Sequence, residues 1–222
     1  MSGFPFPIVG FDLDGTLVDS SGDLAAGVNH VLAGLDRPPL TTDQVVRNIG
    51  GGGRRMLRLS LREAGMHDEG ALPRHYEQMI AYYADHIADA TRPYPGAVEA
   101  LDALRRRGVR LAVVTNKVER LAVRLLESLG LADRFAAVIG GDSVSEGKPS
   151  PVPLHEMVRQ LAGGAAAFVG DSAFDIDAAK AAGLSSVAVG FGFSDRPVGT
   201  LGADAVIDDY ADLLPTLERL GG

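Results

Sequence analysis

Short apolar segments alternate with helical patterns along most of the chain. The segments that predict buried strands are rich in β-branched or apolar residues and are bounded by glycine or polar residues. They lie at residues 8–12, 109–115, 136–140, 165–170 and 186–190, with a weaker one at 203–207. Apolar residues recur at helical spacing between them, at residues 97–107, 118–129, 152–161 and 175–182. Strand and helix therefore alternate from about residue 95 onward.

This alternation predicts an α/β fold with a doubly wound, Rossmann-like parallel sheet and helices on both faces. In such a fold, ligands bind beyond the carboxyl ends of the strands. Gly183 is expected to end the helix at 175–182 as a C-terminal cap.

Residues 19–92 break the alternation. Apolar residues such as Leu24, Val28 and Val31 recur at helical spacing there, and we find no convincing strand pattern. We therefore expect a small α-helical cap domain at 19–92 and an α/β core formed by residues 1–18 and 93–222. The hinges are expected near residues 20–22 and 92–96.

The composition is that of a folded globular protein. The chain has 222 residues, 46% of them hydrophobic and 23% charged. Its apolar runs, such as residues 165–169, are far shorter than the roughly 20 residues that cross a bilayer, and residues 1–11 have no basic segment typical of a signal peptide. We expect no association with a membrane.

Cysteine is absent, which excludes disulfides, thiolate catalysis and sulfur-based zinc sites and fits a cytoplasmic location. The formal net charge of −8 argues against nucleic acid as a partner, because phosphate backbones are bound by surplus lysine and arginine. The five histidines are scattered without metal-binding spacing. Oligomeric state is not predicted.

Polar residues follow four of the predicted strands. They are Asp12 and Asp14, Thr115 and Asn116, Lys148, and Asp171 with Asp175. Asp12 and Asp14 are two residues apart, so in an extended chain they point the same way with Cα atoms roughly 6.6 Å apart. These acids, joined by Asp171, would repel one another without a cation, and carboxylates suit Mg²⁺. We expect a Mg²⁺ site formed by Asp12, Asp14 and Asp171.

The four short segments that contain these polar residues together resemble the motifs of the haloacid dehalogenase superfamily. They are FDLDGT at 11–16, TN at 115–116, KP at 148–149 and GDSAFD at 170–175. The resemblance covers nearly the whole chain, including a helical cap after the first motif. It implies that Asp12 is a nucleophile that forms an aspartyl-phosphate. It also implies that Asp14 protonates the departing oxygen and later deprotonates the attacking water.

The same resemblance implies roles for the other motif residues. Mg²⁺ would be held by the Asp12 carboxylate, the Asp14 backbone carbonyl and Asp171. Thr115 and Asn116 would donate hydrogen bonds to phosphoryl oxygens, and Lys148 would add a positive charge. Asp175 would order metal-bound waters or Lys148. Lys117 is left without a role.

Several members of the superfamily fit less well. Asp14 favours phosphoryl transfer over dehalogenation, because a departing halide needs no acid. A phosphonate-cleaving relative needs a cap lysine, and the sequence has no lysine before Lys117. The same absence weakens the sugar-phosphate mutase alternative. A receiver-like signalling module is disfavoured because the acidic pair opens the chain and a long helical insertion follows.

The cap sequence at residues 28–65 is similar to that of bacterial phosphoglycolate phosphatases. The resemblance implies hydrolysis of 2-phosphoglycolate to glycolate and phosphate, with other small phosphate esters or pyrophosphate left open. The glycine run at 50–53 is interpreted either as a flexible turn or as a specificity loop entering the site. In the second case Gly52 would contact the substrate, and Arg54 or Arg55 would pair with its carboxylate.

Overall fold

The computed structural model describes residues 4–194 and 196–222. Its strands, in chain order, are β1 (Ile8–Phe11), β2 (Val18–Asp19), β3 (Arg92–Pro93), β4 (Arg110–Val114), β5 (Ala137–Ile139), β6 (Ala166–Gly170), β7 (Ser185–Val189) and β8 (Ala205–Ile207). Its α-helices are α1 (Ser21–Ala33), α2 (Thr42–Val46), α3 (Gly53–Glu63), α4 (Leu72–Asp85), α5 (Ala97–Arg106), α6 (Glu119–Ser128), α7 (Val152–Gln160), α8 (Ala173–Ala181) and α9 (Leu213–Leu220).

Six of the strands form one parallel sheet in the order β5-β4-β1-β6-β7-β8. Ile8 of β1 is paired with Arg110 of β4 on one side and with Ala166 of β6 on the other. The chain builds outward from β1 first in one direction and then in the other, so the topological switch point lies at β1. The predicted doubly wound parallel sheet is confirmed.

Helices cover both faces of the sheet, which explains why its strands are continuous apolar runs. Val9 and Phe11 face a core shared with α5, α6 and α9, whereas Ile8 packs with α7 and α8 on the opposite face. At Gly10 a side chain would overlap the Met157 sulfur of α7, so glycine permits the close approach of this helix. Gly183 follows α8 with φ of 68°, as expected of a C-terminal cap.

Helices α1 to α4 lie between β2 and β3 in the chain, where the sequence predicted a helical insertion. β2 and β3 pair antiparallel, with Val18 opposite Pro93 and Asp19 opposite Arg92. The hinges expected near residues 20–22 and 92–96 adjoin this pair of strands, since α1 begins at Ser21 and β3 includes Arg92. They stay a prediction. None of the helices in the described part of the chain has the length and apolar character needed to cross a membrane.

One buried carboxylate fixes the start of α1 to the end of the helical insertion. Asp23 accepts hydrogen bonds from the backbone N–H of Ala90 at 2.9 Å and of Thr91 at 2.8 Å, and from the Thr91 hydroxyl at 2.6 Å. Asp23→Ala would leave these buried donors unpaired, so we expect the free energy of unfolding to fall by about 2–4 kcal/mol.

Urea denaturation measures this change. The control is Asp85→Ala, because the Asp85 side chain is 80% exposed. It should change the free energy of unfolding by less than about 0.5 kcal/mol. Equal effects of the two substitutions would show that the Asp23 hydrogen bonds do not stabilise the fold.

Candidate active site

Polar side chains from three neighbouring strands meet at the carboxyl edge of the sheet. Asp12 directly follows β1, Thr115 follows β4 and Asp171 follows β6. All three side chains are buried. Because β1 is the switch point of the sheet, this is the position at which the fold forms a ligand crevice.

Three buried acids lie close together at this edge. Carboxyl oxygens of Asp12, Asp171 and Asp175 all lie within 4.8 Å of one another. Burial raises the pKa of Asp12 to about 6, opposed by Lys148 and reinforced by Asp175. Burial, followed by the charges of Asp175 and Asp12, raises the pKa of Asp171 well above its ordinary value. A hard divalent cation would offset this mutual repulsion, so the oxygen donor set fits one.

The carboxylate of Asp171 is held from two sides. Thr16 donates its hydroxyl to one oxygen at 3.2 Å, and the backbone N–H of Phe193 donates to the other at 2.6 Å. Gly15, with φ of 85°, passes so close that a side chain there would overlap the Asp171 carboxylate. The turn after Asp14 therefore packs directly against this acid.

Lys148 connects two of the acids. Its Nζ lies 2.9 Å from Asp12 Oδ1 and 2.5 Å from Asp175 Oδ1, and it donates to the Val114 carbonyl at 2.7 Å. Burial alone would lower the pKa of Lys148, but the charges of Asp12 and Asp175 raise it above its ordinary value. Lys148 therefore carries a positive charge beside Asp12.

The Asp14 side chain has different neighbours. Its carboxylate oxygens accept from Lys117 Nζ at 2.7 and 2.9 Å, and Oδ1 also accepts from the Ser20 hydroxyl at 2.6 Å. Among the described residues, the acidic cluster that could share an ion contains Asp175 rather than the Asp14 carboxylate. The spacing argument expected the Asp14 carboxylate beside the ion, whereas here it pairs with Lys117. The role of its backbone carbonyl, which the resemblance implied, stays a prediction.

Asn116 joins three segments. Its side-chain amide donates to the backbone carbonyls of Gly50 at 3.0 Å and Lys148 at 2.9 Å, and its Oδ1 accepts from the Lys148 N–H at 2.9 Å. The neighbouring Thr115 hydroxyl accepts from the Lys117 N–H at 3.2 Å. The Thr115 hydroxyl can still donate its own hydrogen, whereas the Asn116 amide donates both of its hydrogens to backbone carbonyls.

The glycine run at 50–53 lies over the site. Gly50, Gly52 and Gly53 line a cavity whose floor includes Asp12 and Thr115. The remainder of the lining is mostly apolar and comes from the helical insertion and the start of α6, namely Leu24, Ile49, Met56, Met79, Ile80, Val118 and Leu121. The loop therefore lines the site, and its role in specificity, with Gly52 in contact with the substrate, stays a prediction.

The two arginines after this loop lie elsewhere. Arg54 and Arg55 are exposed, and neither is among the residues that line the cavity. The Arg54 guanidinium lies 5.6 Å from the Tyr76 ring centroid, and that of Arg55 lies 5.6 Å from the Phe174 ring centroid. Their pairing with a substrate carboxylate stays a prediction that this conformation does not support.

The family model for haloacid dehalogenase-like hydrolases matches residues 9–189. The chain belongs to this family. The chain is similar to phosphoglycolate phosphatases of Agrobacterium fabrum, at 42% identity over 95% of this chain and 92% of that protein, and of Chromobacterium violaceum, at 41% over 95% and 96%. It also resembles the crystal structure of a predicted phosphoglycolate phosphatase from Haemophilus somnus, at 33% identity, with a TM-score of 0.89 over 96% of this chain and 98% of that one.

Sequence reasoning missed Lys117 in this haloacid dehalogenase-like hydrolase. Its ammonium is buried, pairs with Asp14 and lies 4.7 Å from the ring centroid of Tyr83 in α4. The composition held a signal, because only three of the 21 basic residues are lysines, and Lys117 and Lys148 are both buried in this site. A chain that otherwise uses arginine retains lysine where a compact charge is needed.

Proposed function

We propose that this protein is a Mg²⁺-dependent phosphatase that hydrolyses 2-phosphoglycolate to glycolate and inorganic phosphate. The observation that carries the chemistry is the buried Asp12 carboxylate, which lies 2.9 Å from Lys148, belongs to the acidic cluster and lines the cavity. The substrate is supported by the relatives named phosphoglycolate phosphatase, which match nearly the whole chain.

Asp12 acts as the nucleophile. One carboxylate oxygen attacks phosphorus, the bond from phosphorus to the glycolate oxygen breaks, and an aspartyl-phosphate forms. Water then attacks the same phosphorus, the bond to Asp12 breaks, and phosphate is released. The position of Asp12 at the end of a fully buried strand supports this role, because the strand holds the nucleophile in a fixed orientation.

Asp14 moves the protons of both steps. It gives a proton to the glycolate oxygen as that oxygen departs, and later accepts a proton from the attacking water. Its contacts with Lys117 and Ser20 hold the carboxyl group at the cavity, which Asp12 also lines. The position supports the role, because Asp14 and the nucleophile Asp12 line the same cavity.

Asp12, Asp171 and the backbone carbonyl of Asp14 would hold the Mg²⁺. When bound, the ion supplies positive charge that offsets the repulsion between the nucleophile and the phosphoryl oxygens. Asp175 positions Lys148 through their direct contact. Lys148 and the Thr115 hydroxyl stabilise charge on the phosphoryl group. Asn116 can donate its amide there only if its bond to the Gly50 or the Lys148 carbonyl breaks.

We also propose that residues 19–92 act as a cap over the core formed by 1–18 and 93–222. The contact between Asn116 and Gly50 supports this division, because it joins the core to a loop of the helical insertion above the site. The substrate is a small phosphorylated metabolite, and the enzyme works in the cytoplasm without nucleic acid as a partner.

A panel of small phosphate esters assayed with Mg²⁺ tests this proposal. We expect 2-phosphoglycolate to give the highest kcat/KM, and EDTA to abolish turnover until Mg²⁺ is restored. Asp171→Ala should lower kcat by roughly 10²-fold or more, because it removes both a carboxylate ligand and part of the cluster charge. Asp177→Ala is the matched control on an exposed aspartate of α8.

Full activity after chelation would show that the reaction does not need a metal ion. If another class of ester gives a higher kcat/KM than 2-phosphoglycolate, the proposed substrate is wrong. The proposed reaction, hydrolysis of a phosphate ester, would still hold.

A further inference from the structure

Lys117 is the cationic side chain of the cavity. Among the described residues that line it, no other lysine and no arginine is present. The Lys117 side chain is only 7% exposed, and its Nζ contacts both oxygens of Asp14. An ammonium donates three hydrogen bonds, and Asp14 accepts two of them. The third interacts with the neighbouring Tyr83 hydroxyl, so an anion in the cavity must take over that bond.

Tyr83 provides a second polar group on the same wall. Its side chain is 2% exposed, and its hydroxyl makes no hydrogen bond that meets normal geometry with the described part of the chain. Burial raises the pKa of Tyr83 to about 12, so the hydroxyl keeps its proton at neutral pH. A buried hydroxyl without an acceptor is costly, and an anionic ligand would supply one.

The remainder of the cavity contains no other positively charged side chain that could pair with a carboxylate, among the described residues that line it. Its other side chains are largely apolar, and an ionised carboxylate placed among them without a partner would be strongly disfavoured. Arg54 and Arg55 lie outside, against aromatic rings. Among the described residues of the cavity, Lys117 therefore offers a carboxylate its one cationic donor, and Tyr83 offers a neutral donor beside it.

We propose that Lys117 and Tyr83 together bind the carboxylate of the departing group and so determine the preference for acidic phosphate esters. The proposal rests on the proposed function and adds its specificity residues. Lys117 belongs to the core and Tyr83 to α4 of the helical insertion, so the carboxylate joins the two parts of the molecule when it binds.

The test compares two esters that differ only in the charged end: 2-phosphoglycolate and 2-hydroxyethyl phosphate. The measured quantity is the ratio of their kcat/KM values. Lys117→Met should lower this ratio about 30- to 300-fold, because a charge-assisted hydrogen bond to the carboxylate is lost. Tyr83→Phe should lower it about 3- to 10-fold, because the lost bond comes from a neutral donor. Lys180→Met is the matched control at an exposed lysine of α8 and should leave the ratio unchanged.

Equal losses on both esters in Lys117→Met would overturn the proposal, because they would mean that Lys117 acts only through Asp14. The proposal would also be overturned if Arg54→Ala or Arg55→Ala lowered the ratio of kcat/KM values while Lys117→Met left it unchanged. In that case the arginines would bind the carboxylate. If Lys117→Met does not fold, Tyr83→Phe decides, and an unchanged ratio there overturns the proposal. A wild-type enzyme that hydrolyses other esters but not 2-phosphoglycolate contradicts the proposed substrate instead.

Discussion

Asp12→Asn is expected to lower kcat on every phosphate ester by roughly 10⁴-fold or more. An amide is a poor nucleophile toward phosphorus, and the substitution also removes the negative charge that pairs with Lys148. Because the displacement at phosphorus needs the Asp12 carboxylate whatever group departs, esters with good and poor leaving groups should lose turnover together. Steady-state release of phosphate from an alkyl ester and from p-nitrophenyl phosphate measures the effect.

The matched control is Asp133→Asn, which alters an exposed aspartate away from the site. It should leave kcat on both esters unchanged. Retention of substantial activity by Asp12→Asn with the aryl ester alone would indicate that water attacks phosphorus directly and that Asp12 only contributes to the acidic cluster.

Asp14→Asn is expected to slow hydrolysis of the alkyl ester, 2-phosphoglycolate, much more than hydrolysis of p-nitrophenyl phosphate. Glycolate leaves as a poor alkoxide and needs a proton, whereas p-nitrophenolate leaves readily without one. Loss of general-acid help is worth about 10²- to 10⁴-fold, so the alkyl ester should lose at least that much in the first chemical step. The aryl ester should lose much less. A single-turnover burst with each ester measures this step.

The second step should also slow in Asp14→Asn, because the same side chain accepts a proton from the attacking water. The aryl ester should then accumulate phosphorylated enzyme. The substitution also changes the partner of Lys117, so thermal unfolding should first show that the variant is folded. Equal losses on both esters in the burst would assign Asp14 to shaping the site rather than to proton transfer.

The sheet could be predicted from the sequence because buried parallel strands are unbroken apolar runs. β1 shows this directly, since Ile8, Val9 and Phe11 are all fully buried. The acids at the strand ends followed from the same reasoning, because carboxyl ends of parallel strands share one edge. Asp12 and Asp171 indeed meet there, although 159 positions separate them in the chain.

Other features gave a weaker signal or none. β2 and β3 have two residues each, too few to show an alternating pattern. The short helix α2 was missed although its capping box was legible: Thr41 accepts from the Gln44 N–H, and Gln44 accepts from the Thr41 N–H. Helix α9 was also missed, since the pattern analysis did not extend past the last predicted strand.

The role of Lys117 could not be predicted because a residue after a strand end can point toward several neighbours. Asn116 turns toward Gly50 and the Lys148 loop, whereas Lys117, the next residue, turns to Asp14 and Tyr83. These directions depend on how the helical insertion packs over the sheet. The residues around Lys117 in the sequence do not determine that packing. The structure was therefore needed to show that the Lys117 ammonium lies in the cavity.

The central claim is that the phosphoryl group passes through a covalent bond to Asp12. The most direct measurement is mass spectrometry of Asp14→Asn, acid-quenched during turnover of p-nitrophenyl phosphate in the presence of Mg²⁺. We predict a peptide that carries one added phosphoryl group on Asp12, absent from the Asp12→Asn, Asp14→Asn double variant treated in the same way. A burst of p-nitrophenol without phosphorylated enzyme, or with the phosphoryl group on another residue, would contradict the account.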